Sequence, residues 1–99
     1  MVTRIRKGSG NVFADLGFHT EQARHLRIRS DLMIEVSRLI KARGLTQAEA
    51  ARMFGISQPR VSDLVRGKID RFSIDTLVTM LGHAGVEVVL STRRRARVA

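Results

Sequence analysis

The 99-residue chain contains no cysteine, which excludes both disulfides and a thiolate metal site. No apolar run approaches the ~18 residues a membrane span requires. None follows the basic N-terminal residues in the manner of a signal peptide. The expected setting is the cytoplasm, with no membrane partner. His19, His25 and His83 are scattered, with no helical pair or cluster at metal-ligand spacing, so neither metal nor cofactor is expected. His83 near a helix C-terminus has a plain electrostatic explanation. The serines and aspartates lack the context of a nucleophile elbow or of paired catalytic carboxylates. Gly8-Ser9-Gly10 has no evident strand before it and no Gly-Lys-Ser/Thr after it, so it is not a phosphate loop. No enzymatic role is expected. Internal repeats are absent, and the terminal arginine cluster is the one low-complexity piece.

The composition present suits one small domain with tails, since 43% of residues are apolar. The net charge is +9, and its location matters more than its size. Arg4, Arg6 and Lys7 lie near the N-terminus, and Arg93, Arg94, Arg95 and Arg97 near the C-terminus. Without these seven, eleven basic residues face nine acidic ones, an excess of two. Most of the excess is therefore terminal. It serves either solubility or non-specific attraction to phosphates. Charge alone does not make a DNA-binding protein.

The informative stretch is residues 45–68, LTQAEAARMFGISQPRVSDLVRGK. Thr46 followed three residues later by Glu49 is a capping box opening a helix. Ala48, Ala50 and Ala51 are small, helix-favouring residues that let a second helix cross closely. Gly55 suits the left-handed residue that ends a helix. Ile56 plugs the corner and Ser57 caps a second helix. Pro59 falls in the first turn of that helix, so the Ser57 hydroxyl must use the N–H of Arg60. Val61, Leu64 and Val65 follow at i, i+3 and i+4, giving an apolar face, and Gly67 closes the helix. Two capped helices about one glycine turn make a helix-turn-helix, whose second helix enters the major groove.

Thr46-Gln47-Ala48-Glu49, Ala51, Gly55, Ile56, Ser57-Gln58, Val61, Leu64 and Gly67-Lys68 resemble the helix-turn-helix of the Cro/CI-type, or XRE, repressors. Flanking helices extend the likeness to roughly residues 32–81. The resemblance implies an all-α, five-helix lambda-repressor-like domain over residues 20–85. Residues 1–19 would form an N-terminal tail and apolar segment, and residues 86–99 a short strand and basic tail. It also implies base-reading residues at Ser57, Gln58, Pro59, Arg60, Ser62 and Asp63. Gln58 pairs with adenine and Arg60 with guanine in such an arrangement. Asp63 either accepts from cytosine or orients Arg60. Pro59 stands where many relatives carry a polar reader and offers apolar contact alone. Phosphate contacts are expected from Gln47, Arg66, Lys68 and Arg71, which fix register without reading sequence.

The flanks carry further expectations. Residues 1–10 read as an unstructured polar tail. Residues 11–18, NVFADLGF, hold Val12, Phe13, Leu16 and Phe18 in a segment too short to form its own core. They either pack within the domain or its dimer mate, or dock another protein. Thr20 is expected to cap a long helix running to about Arg43, with Leu32, Val36, Leu39 and Ile40 inward and the first turns projecting. Gly44 ends it. Ile69 and Phe72 tuck inward beyond Gly67. Ser73 caps a last helix with Ile74, Leu77, Val78 and Leu81 inward, and Gly85 stops it. Residues 86–90, VEVVL, read as a strand with Val86, Val88 and Leu90 on one face. With no second strand evident, its expected partner is the same strand of a second copy, antiparallel across a two-fold axis. Folding back on residues 11–18 is the other reading. A homodimer of this kind presents two reading helices to a palindromic double-stranded operator.

Taken together, SGNVFADLGF, the motif and the terminal VEVVL resemble HigA-like antitoxins over nearly residues 9–90. This likeness implies a bacterial autorepressor that also neutralises a RelE/HigB-like ribonuclease toxin, with residues 11–18 and the start of the long helix as its holding surface. Two other readings stay open. One is a stand-alone dimeric regulator with no toxin. The other is an adaptor that uses the helix-turn-helix for protein contact.

Overall fold

A computed structural model describes residues 2–5, 16–17 and 19–94, with backbone alone for residues 2–5. Val12, Phe13 and Phe18 lie outside the described residues. Within them run β1 (Val2–Ile5), α1 (Thr20–Ala42), α2 (Gln47–Phe54), α3 (Gln58–Val65), a 3-10 turn (Ile69–Arg71), α4 (Ile74–His83) and β2 (Glu87–Leu90). The chain is mostly helical, with four α-helices among the described residues rather than the expected five, and one 3-10 turn beside them.

No glycine or proline interrupts residues 20–42, so α1 runs for 23 residues. It begins one residue earlier than Thr20 capping requires. Ala23 N–H donates to the His19 carbonyl at 2.7 Å, which makes His19 the N-cap and Thr20 the first helical residue. Leu32, Val36 and Leu39 are buried as their spacing predicts, joined by Met33, while Ile40 is half-buried. In its first turns Ala23 and Leu26 are buried too. Ion pairs Arg24–Glu21, Arg27–Asp31 and Arg38–Glu35 line the outer face. Exposed pairs such as Arg24–Glu21 contribute little to stability, while Arg27–Asp31 is part-buried.

The core joins α1 to the other three helices through Phe54, Phe72, Leu64, Val61, Leu77, Met80 and Leu81. Ala50 is wholly buried and Ala51 nearly so, as a close helix crossing requires. In α4 the inner stripe is Leu77, Met80 and Leu81. Val78, expected inward, stays 39% exposed, because the helix is rotated to insert the flexible Met80 instead. Val65 likewise departs from its expected place at 55% exposure, since the eight-residue α3 seats on a narrow stripe of Val61 and Leu64. Val65 and Ile34 instead face an open groove between α1 and the end of α3.

The N- and C-terminal segments correct two expectations together. Val2–Ile5 is a strand, not an unstructured tail, and it pairs with β2 in parallel, Val2 opposite Glu87 and Ile5 opposite Leu90. The edge groups of β2 are thus satisfied within one chain along one side, without an antiparallel copy. A parallel pair demands a long crossover, and the whole helical unit supplies it. Val86 is buried and Val88 packs on the core, so these two of the expected dimer residues face the protein's own interior; Leu90 is exposed. Among the described residues the sheet has two strands, and no described strand covers the other edge of β2. No helix among the described residues is long and apolar enough to cross a membrane.

Candidate nucleic-acid interface

The helix pair α2–α3 is built from its caps. The Thr46 N–H donates to Glu49 Oε1 at 2.9 Å, and the Glu49 N–H donates to Thr46 Oγ1 at 3.1 Å. Both halves of the capping box are present. The hydrogen bond from the Thr46 backbone, then that from its side chain, holds the Glu49 carboxyl below the usual range, with Arg52 adding to the effect. Gly55 takes φ +70°, and the N–H groups of Gly55 and Ile56 both turn back to the Ala51 carbonyl. That left-handed residue sets the angle between the helices. Ser57 Oγ then accepts the Arg60 N–H at 3.4 Å, with Pro59 in the first turn, as the sequence requires.

The result is a short second helix with two unlike faces. Val61 and Leu64 are buried, whereas Ser57, Gln58 and Pro59 are exposed at its start. Arg60, Ser62 and Asp63 are half-buried along the same helix. Gln47 is exposed at the first position of α2, Arg66 at the C-cap of α3, and Arg71 at the end of the 3-10 turn.

Two side chains behave differently from expectation. Arg60 does not extend freely. Its guanidinium stands 4.8 Å from the Phe72 ring centroid, and Nη2 donates to the Arg71 carbonyl at 3.3 Å. Asp63 does not orient Arg60. Its oxygens face Lys68 Nζ at 3.8 Å and Arg71 Nη1 at 3.4 Å instead. Beside them an open groove of about 680 Å³ runs past Arg60 and Arg71 to His25 and Arg29 of α1 and the start of α4. Arg29 Nη1 reaches the Ile69 carbonyl at 3.5 Å, tying α1 to the 3-10 turn. Sequence reasoning missed Arg29 and the support that Phe72 gives Arg60. Both depend on how the 3-10 turn folds back, for which no periodic signal exists. Leu16, from the expected partner-binding segment of residues 11–18, is 70% exposed.

Two helices joined by a left-handed glycine, the second with a buried aliphatic stripe and an open polar start, define a helix-turn-helix protein. A family model described as a helix-turn-helix domain matches residues 12–93, and the chain belongs to that family. Among curated proteins none matches the chain.

Proposed function

We propose that the chain is a sequence-specific DNA-binding transcriptional repressor of the Cro/CI type, acting in the cytoplasm without enzymatic activity. The observation that supports it is the open start of α3. Ser57, Gln58 and Pro59 are exposed while Val61 and Leu64 anchor the helix from behind. A duplex can therefore approach that end without rearrangement of the fold. Gln58 and Arg60 read base edges, with Ser57, Pro59 and Ser62 completing the contact surface. Gln47, Arg66, Lys68 and Arg71 hold phosphates. The chain acts as a homodimer on a palindromic operator. The edge of β2 that no described strand covers is the proposed two-fold contact, in place of pairing by an otherwise solitary strand.

The same chain is proposed as the antitoxin of a toxin–antitoxin operon, binding a RelE/HigB-like toxin through residues 11–18 and the first turns of α1. Exposure of Leu16 supports that placement. A gel shift with DNA from upstream of its own reading frame, repeated across a salt series, tests the repressor reading. Absence of any shifted species at low salt overturns it. Sedimentation as a monomer under conditions where DNA is bound overturns the dimer. The neighbouring reading frame tests the antitoxin role. Failure of its product to co-purify with this chain leaves a stand-alone regulator.

A further inference from the structure

This inference rests on the DNA-binding reading and assigns Asp63 within it. A carboxylate beside a phosphate backbone is unfavourable for binding, so its place on α3 needs a cause. The Asp63 side chain is only 20% exposed, against 40% for Lys68 and 55% for Arg71. Oδ1 faces Lys68 and Oδ2 faces Arg71. Both cations belong to the short segment after α3, where backbone hydrogen bonds and a single 3-10 turn fix the main chain but not these two long side chains. The Arg71 carbonyl in turn accepts from Arg60. One carboxylate thus ties the 3-10 turn back to the reading helix. Lys and Arg carry the largest side-chain rotamer entropies. Ordering them before DNA arrives lowers the ordering loss on binding.

We propose that Asp63 is a positioning residue that pre-orders Lys68 and Arg71 for phosphates and reads no base. The competing roles predict different outcomes. A bystander carboxylate that merely repels phosphate predicts tighter binding when its charge is removed. A cytosine reader predicts loss confined to one base pair. A positioning residue predicts weaker binding on every sequence, acting only through its two cations.

The test compares the full chain with Asp63→Asn, alone and in a Lys68→Ala/Arg71→Ala background. Probes are a mixed-sequence duplex and the duplex that the wild-type chain enriches from a random library. Asp63→Asn is expected to weaken both by the same factor, roughly three- to tenfold, between the worth of an exposed ion pair and that of a charge-assisted hydrogen bond. The salt slope flattens by roughly one to two. A loss of fold stability alone does not flatten it when binding is read below the unfolding transition. In the Lys68→Ala/Arg71→Ala background, Asp63→Asn has no further effect. Unchanged or tighter binding, a loss restricted to the enriched duplex, or full additivity in that background overturns the proposal while leaving the DNA-binding reading intact. A wild-type chain that binds neither duplex overturns both.

Discussion

Phe72→Leu separates what the core contributes from what it lends to the reading surface. The ring is 1% exposed and among the largest fully buried side chains, and its outer face carries the Arg60 guanidinium. Leucine keeps most of the apolar transfer energy but leaves roughly 25 Å³ unfilled, about 0.6 kcal/mol at the ~24 cal/mol per Å³ found for core cavities. With lost dispersion contacts the total is about 1–1.5 kcal/mol. For a chain of this size that lowers Tm by roughly 5–10 °C. Separately, loss of the ring face removes about 0.5–1 kcal/mol from the fixing of Arg60, a two- to fivefold effect on affinity. That second loss falls chiefly on the enriched duplex, because the ring touches the base reader Arg60 directly and the phosphate contact Arg71 only through its backbone carbonyl. The chain has neither Trp nor Tyr, so stability is followed by circular dichroism and binding by anisotropy of labelled DNA. Equal losses on both duplexes, measured well below Tm, refute the idea that the ring orients a base reader. So does full retention of specificity despite the expected drop in Tm.

Other outcomes follow from single contacts. Thr46→Ala removes the cap of α2 and is expected to lower stability by about 1 kcal/mol, read as a shift in the urea midpoint at unchanged slope. The Glu49 carboxyl is depressed in the folded state by that same cap, so its stabilising effect is complete above the ordinary carboxylate range and disappears as pH falls through the depressed native value. An NMR titration placing the Glu49 midpoint at or above the ordinary glutamate value contradicts this. Gly55→Ala forces a side chain to φ +70° with its Cβ 3.4 Å from the His83 ring, for a loss of roughly 1–2 kcal/mol. Gly82→Ala meets nothing within 4 Å inside α4 and is expected to stabilise by about 0.5–1 kcal/mol. Thermal melts that rank these two glycine variants the other way refute the backbone argument.

The motif was legible because its signals are local. Thr46 with Glu49, Gly55, Ser57 before Pro59, and Ser73 each act within four residues, and each cap forms as read. The inward faces were legible only to within one position. Spacing alone places Val65 and Val78 with Leu64 and Leu81, but short helices seat on narrow stripes, and Met80 fills the space that Val78 leaves. Non-local features were not readable. The Asp63–Arg71 pair and the Arg60–Phe72 contact join α3 to a turn that carries no periodicity. Val2–Ile5 has three β-branched residues in four, a strand signal overshadowed by the basic residues that follow. Its partner stands at the other end of the helical unit, where no local rule reaches.

That separation bears on how the chain reaches its native state. β1 is synthesised first, yet the strand it joins comes after all four helices, so it waits unpaired throughout their assembly. A lone strand is an aggregation hazard during that interval. At four residues, with a charged arginine at position 4, β1 is short and interrupted enough to act as its own gatekeeper until β2 is made.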